Sequence, residues 1–355
     1  MRKPLLLLPG PMQVPDFIRA AGERPLFNHR SPEMLELLGR LENASRPLFG
    51  TTGNILFLAA SGTGAMESAI VNLTSPKEEI IVVVGGTFAS RWTQIAEAYN
   101  LTIRVAEVDW RKGANLSDID KAVDKWPNAS NVFLTWSESS TGALIPADVM
   151  SAIGQRIRSL GKILIVDAVS GLAVSSLEMD RWGVDAVIVG SQKGLMIPAG
   201  LGVVAVGPRA WEKRETSSTP RFYWDWKKYV EAVPFTPALS ILFQLDASLT
   251  YIHSQGMPAI FARRAEVAEQ IRSLVRSSEM EVYAQNPGNG ITGVIPPAGF
   301  DIQALIQRLN RDFGIQIAGG LGPLKGQIFR IGHVGHLTDQ ELDYFISSFS
   351  QCLKQ

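Results

Sequence analysis

The chain of 355 residues is poor in cysteine, in net charge and in long apolar runs. Cys352 is its one cysteine, which excludes a disulfide framework and any zinc site built on thiolates. Its 34 Lys and Arg are matched by 34 Asp and Glu. That balance leaves no field to hold a phosphate backbone or an anionic bilayer, so neither nucleic acid nor a membrane is an expected partner. No stretch approaches the ~20 apolar residues needed to cross a bilayer. The opening Met1-Arg2-Lys3-Pro4 with its four leucines imitates a secretory signal, but Pro9-Gly10-Pro11 halts the run, and the cytoplasm is the expected compartment. Hydrophobic residues make up 46% and charged ones 19%, the profile of a packed globule. At this length two domains, or one large domain with an appendage, are expected.

Short apolar runs alternate with helical patterns. Ile80 to Val84 is β-branched and stops at Gly85-Gly86, reading as a strand buried on both faces. Similar runs follow at Leu101–Val108, Val132–Trp136, Ile163–Val166, Val184–Val189 and Leu201–Val206. Helical spacing connects them, as in Val149, Ile153, Ile157 and Leu160. Repeated strand–helix–strand implies crossovers and an α/β fold with a mainly parallel sheet between helices. Beyond residue 255 the pattern changes to short strands, a helix at Ile302–Phe313 and a last helix opened by a Thr338/Glu341 capping box. The expected division is a large domain of 17–255 and a smaller α/β domain of 256–355 joined by the N-terminal segment 1–16. The aromatic, charged stretch Trp211–Val230 is expected to be irregular and to lie between them.

Lys193 follows the run Val187–Gly190 within Ser191-Gln192-Lys193-Gly194. At the carboxyl end of a buried strand its amine either serves as a nucleophile of lowered pKa or covers apolar surface with its head in water. Asp167 ends Ile163–Val166, where a carboxylate needs a cation, such as a protonated ring nitrogen, or a helix to cap. Ser61-Gly62-Thr63-Gly64, ahead of a helical Ser68–Leu73, could turn backbone N–H groups toward an anion. With Glu67 it imitates part of a dinucleotide fingerprint, but the third glycine is missing and a single phosphate fits better.

In this order, Pro9-Gly10-Pro11, Asn28-His29-Arg30-Ser31-Pro32, Ser61–Gly64, Glu138-Ser139-Ser140-Thr141-Gly142, Val166-Asp167-Ala168-Val169, Gly190–Gly194, Phe235-Thr236-Pro237 and Phe329-Arg330-Ile331-Gly332 carry a resemblance. The sequence resembles the class V, fold-type I aminotransferases that use pyridoxal 5′-phosphate, in the alanine–glyoxylate and serine–glyoxylate (serine–pyruvate) branch. The resemblance implies a large domain with a mainly parallel seven-stranded sheet sandwiched by helices, a smaller C-terminal domain, and a homodimer sharing its sites. It further implies a Schiff base at Lys193, with the lysine as proton shuttle, and Asp167 on the pyridine nitrogen. Ser61, Gly62, Thr63 and Gln192 would hold the phosphate, Phe88 would stack on the ring where animal members have tryptophan, and Ser139 would meet the ring edge. Thr236 would reach the phosphate of the neighbouring subunit, with Val233 standing where those members have a tyrosine. Arg330 would clamp the substrate carboxylate, and the backbone of Gly10 would line its pocket. No catalytic role is expected for His29, Arg30, His333 or His336.

The implied reaction is ping-pong transamination from alanine or serine to glyoxylate or pyruvate. Phosphoserine, aminoethylphosphonate, ureidoglycine or aspartate are alternative donors. A cysteine desulfurase needs a mobile cysteine near the substrate, and Cys352 lies on the last helix. A non-catalytic binding subunit and a nicotinamide-dependent oxidoreductase are the readings from other classes; retention of Lys193 and Asp167 disfavours the first, and the broken glycine pattern the second.

Overall fold

A computed structural model describes residues 4–354; Met1, Arg2 and Lys3 of the basic opening lie outside the described residues. Seven strands form the main sheet. In spatial order they are Asn54–Leu58, Gly202–Val206, Ala186–Gly190, Ile163–Asp167, Asn131–Thr135, Glu79–Val84 and Thr102–Glu107. Gly202–Val206 runs antiparallel to both neighbours, and the other pairings are parallel. The exception has a simple cause. A parallel return needs a crossover, usually a helix, whereas residues 191–201 come straight back as a loop carrying Lys193.

Strand alternation divides the core into two layers. Ile80, Val82 and Val84 pack with Ala65, Ala69, Ile70 and Leu73 of helix Gly62–Leu73. Ile81 and Val83 face the opposite side, where Met150, Ile153 and Ile157 of helix Ala147–Ser159 join Leu242, Leu245 and Leu249 of helix Leu239–Gln255. Each Ile, Val, Leu or Met among these contributes roughly 1.5–3 kcal/mol on burial. A charge in the middle strand, as in Ile165→Asp, has no partner on either face.

The segment Trp211–Val230 departs from the sequence expectation. Helices Pro208–Thr216 and Trp226–Glu231 flank a short irregular piece, and it covers the main-sheet core rather than lying apart from it. Trp226 is fully buried in that core, its indole N–H donating to Ser68 Oγ at 3.1 Å. Aromatic anchoring outweighs the local charge pattern there.

A second, four-stranded antiparallel sheet has the order Ala318–Gly319, Phe329–Gly332, Ile291–Ile295, Glu281–Val282. Helices Met257–Ser277, Ile302–Phe313 and Asp339–Leu353 pack with it around Phe329, Ile331, Phe345 and Phe349. Leu5–Leu6 pairs in parallel with Ile315–Gln316 and joins the same core. The capping box forms as read: Glu341 N–H donates to Thr338 Oγ1 at 3.2 Å, and Thr338 N–H to Glu341 Oε2 at 2.9 Å. Among the described residues, no helix is long and apolar enough to cross a membrane.

Candidate active site

Parallel strands place their carboxyl ends along one edge, where α/β folds bind ligands. Asp167 stands at that edge beside Thr135 and Ile188. Lys193 arrives by the loop after Gly190. Together with Ser61, Gly62, Thr63, Met66, Phe88, Arg91, Ser137, Ser139, Val169, Ser170 and Gln192 they line a cavity of about 470 Å³.

Lys193 is 6% exposed. Its Nζ donates to Ser139 Oγ and to Ser170 Oγ, each at 2.7 Å, and those two hydroxyls also touch each other. Burial brings the amine down to about 8; Asp167 and Glu138 work against that shift, and Arg330 and Arg91 add to it. This is the neutral-capable amine that the sequence position allowed, and not a lysine with its head in water. Asp167 is pushed the other way, up to about 6, by burial, although its Oδ1 accepts the Val169 N–H at 2.8 Å. Among the described residues no cation pairs directly with it, so it has capacity for one more charged donor.

Ser61 and Gly64 show why the glycine-rich stretch is more than a loop. The helix begins at Gly62 and not at Ser68: Ser61 is its N-cap, with Oγ accepting Gly64 N–H at 3.4 Å. The first amides of the helix, at Gly62 and Thr63, are thereby left at the cavity wall without an intrahelical acceptor, suited to an anion. Gln192 lines the same cavity, where its side-chain NH2 can donate, while its buried Oε1, an acceptor, has no partner.

Arg330 does not snorkel. It is 4% exposed, with Nε and Nη2 donating to Gly319 O at 2.9 and 2.8 Å and Nη1 to Ser139 O at 2.9 Å. Burial lowers it to about 10, still charged at neutral pH. Two of its five N–H groups remain for a ligand. Ser139 thus joins Arg330, through its carbonyl, to Lys193, through its hydroxyl.

The other expected residues are distributed as follows. Phe88 lines the cavity, its ring centroid 5.6 Å from Lys193 Nζ. Gly10, at φ +136°, packs on the stem of Lys193; a Cβ there would lie 2.8 Å from Lys193 Cε, so its backbone braces the lysine. Thr236 is not brought to the cavity of its own chain. It lines a separate hollow of about 630 Å³ with Val233, Phe235 and Tyr223. His333 is a satisfied core residue between Thr292 Oγ1 at 2.9 Å and Asn289 O at 3.1 Å, and burial depresses it to about 3. Cys352 is buried on the last helix, within the small-sheet core. Arg91, Ser170 and the structural part played by Glu138 escape a sequence reading. Arg91 lies three residues after Phe88, in the first turn of the helix Ser90–Ala98 that follows it, which is the one local signal available.

The chain is similar in sequence and fold to known proteins. The family model "Aminotransferase class-V" matches residues 26–324. A soluble hydrogenase small subunit of Synechococcus sp. (strain PCC 6716) is 35% identical over 99% of this chain and 94% of its own length. An L-aspartate–glyoxylate aminotransferase of Paracoccus denitrificans (strain Pd 1222) is 30% identical over 94% of this chain and 87% of its own. A serine–glyoxylate aminotransferase of Arabidopsis thaliana is also 30% identical, over 98% and 90%. The crystal structure of an alanine–glyoxylate aminotransferase from Nostoc sp. superposes with a TM-score of 0.94 at 25% identity, covering 99% of this chain and 96% of that one.

Proposed function

This chain belongs to the class V aminotransferase family, and from that premise we propose that it transfers the amino group of alanine or serine to glyoxylate or pyruvate by a ping-pong mechanism. The family depends on pyridoxal 5′-phosphate, and the residues fit that group. Asp167 offers a buried carboxylate with no direct cation, Gly62 and Thr63 free amides at a helix start, and Gln192 a side-chain NH2 donor in the cavity lining. Bound there, the cofactor supplies an aldehyde that condenses with amines and a ring that takes up the electron pair left at Cα.

The protein's own groups supply the rest. Asp167 holds a proton at the ring nitrogen, and its low-dielectric setting strengthens that pairing. Ser61, Gly62, Thr63 and Gln192 hold the phosphate, Phe88 covers the ring face, and Ser139 meets its edge. Lys193 Nζ takes the α-proton and returns it; an amine held near 8 is suited to both directions. Arg330 orients the substrate carboxylate with its two remaining N–H groups, and the Gly10 backbone closes the substrate side. Thr236 acts on the phosphate of a second copy, so the working unit is a homodimer, in the cytoplasm, with 17–255 as the cofactor-binding domain.

The bridge through Ser139 carries this reading: one residue accepts from both Arg330 and Lys193, tying a carboxylate clamp to a proton carrier. A panel of alanine, serine, aspartate, phosphoserine and ureidoglycine against glyoxylate and pyruvate tests it. Alanine or serine with glyoxylate should be fastest. The Paracoccus relative acts on aspartate, and preferential turnover of aspartate would move the assignment to that donor. The Synechococcus relative is named as a hydrogenase subunit; cofactor bound, as a chromophore that borohydride reduces, but no turnover with any donor would favour a binding subunit.

A further inference from the structure

Arg91 stands second in helix Ser90–Ala98 and lines the same cavity as the Ser61–Thr63 stretch. Its Nη1 donates to Thr63 Oγ1 at 3.0 Å, and its guanidinium carbon lies 5.0 Å from the Phe88 ring centroid. Among the described residues it forms no ion pair with a carboxylate. It is close enough to both Asp167 and Lys193 to influence their protonation.

The direction of the hydrogen bond matters. A threonine hydroxyl has one proton and two lone pairs. With one lone pair occupied by Arg91, the Thr63 O–H is free to donate elsewhere. A guanidinium without an acidic partner also leaves net positive charge beside the free amides of Gly62 and Thr63. An anion at that wall therefore meets a helix start, an aligned hydroxyl and a nearby fixed cation.

We propose that Arg91 is a positioning residue for the cofactor phosphate, setting Thr63 as a donor toward it and supplying the charge that balances it. This rests on the family's cofactor and not on the choice of amino donor, so its test uses no donor. Cofactor is removed from the purified holoenzyme, and binding of pyridoxal 5′-phosphate and of pyridoxal, which lacks the phosphate, is titrated by absorbance and tryptophan fluorescence. For Arg91→Gln the phosphorylated form should weaken by about 10- to 100-fold, with pyridoxal held within about twofold. Arg91→Lys keeps charge but loses the fixed fork, and should recover part of the loss. Thr63→Val should weaken the phosphorylated form as well, and adding Arg91→Gln to it should cost less than the two single losses multiplied. Equal weakening of both ligands would mean that Arg91 only supports the fold or the Phe88 ring. Unchanged affinity for both, or strictly multiplicative losses, would also overturn the proposal. Circular dichroism of each variant identifies any that fails to fold, and Arg91→Lys then serves as the comparison.

Discussion

The carboxylate of Glu138 accepts the backbone N–H of Ala89 at 2.9 Å and that of Phe88 at 3.3 Å, so a buried acid fixes the turn that carries the Phe88 ring. It also takes the Ser140 amide at 2.9 Å and hydroxyl at 2.7 Å. Gly86 makes room for it, since a Cβ there would lie 2.2 Å from Glu138 Cγ. Glu138→Gln keeps the volume but turns an NH2 group toward donors. Leaving such groups unpaired should cost about 2–3 kcal/mol, read as a lowered urea midpoint with unchanged slope. A shift below ~0.5 kcal/mol, the level of an ordinary surface substitution, would mean that the turn stands without the acid.

Lys193 should make the stability of the cofactor-free protein depend on alkaline pH. Its folded value, about 8, lies below its ordinary 10.5. Between these values the unfolded chain binds the extra proton, so stability rises with pH across that window and is lost as pH falls through 8. The full effect is about 3 kcal/mol. Asp167, held near 6 against an ordinary 3.8, works at the acid end: its contribution is complete below 3.8 and is lost as pH rises through 6. Urea denaturation of the wild type and of Lys193→Met at pH 8 and pH 10.5 isolates the lysine. Their difference should change between the two conditions, and parallel behaviour would contradict the burial argument.

Much of the fold was readable because buried parallel strands are nearly continuous apolar runs, and Asp167 and Lys193 punctuate two of them. Helix Leu239–Gln255 escaped for the converse reason. Polar Gln244 and Ser248 are buried among Leu242, Phe243, Leu245 and Leu249, so the apolar stripe that would set a helical period is interrupted. Helix Gly62–Leu73 was read six residues short because glycines at its start look like a loop, although Ser61 caps them. The bonds Arg91–Thr63 and Glu138–Ala89 join residues 28 and 49 positions apart. Local pattern contains nothing of either bond, and the parts played by Arg91 and Glu138 became visible only when the strand ends were brought to one edge.

The proposed homodimer predicts a linked loss of assembly and cofactor. Phe222 is 75% exposed, with its ring centroid 5.9 Å from that of Phe235 next to Thr236. Leu35 is 60% exposed, next in sequence to Met34, which lines the same hollow as Thr236. Exposed aromatic and aliphatic groups of this kind suit a second copy. Phe222→Glu should shift sedimentation from dimer toward monomer and weaken cofactor binding together with it. Thr236→Val should weaken cofactor binding by about tenfold while sedimentation is unchanged. A monomeric wild type that binds cofactor fully would remove Thr236 from the site.

The proposed carboxylate clamp, Arg330, separates substrate recognition from cofactor chemistry most sharply. Its guanidinium already spans Gly319 O and Ser139 O, which fixes its plane and directs its two remaining N–H groups. A lysine keeps the charge but has one nitrogen, unable to hold two carbonyls and a carboxylate fork at once. Arg330→Lys should therefore lower kcat/KM for alanine about 100-fold or more, while the absorbance of bound cofactor persists. Ethylamine, which is alanine without its carboxylate, supplies the control. The wild type should use it far more slowly than alanine, and the variant should use it about as well as the wild type does. If the substitution slows both amines equally, Arg330 acts by holding Ser139 under Lys193 rather than by gripping the substrate, and the carboxylate clamp must be sought among other residues.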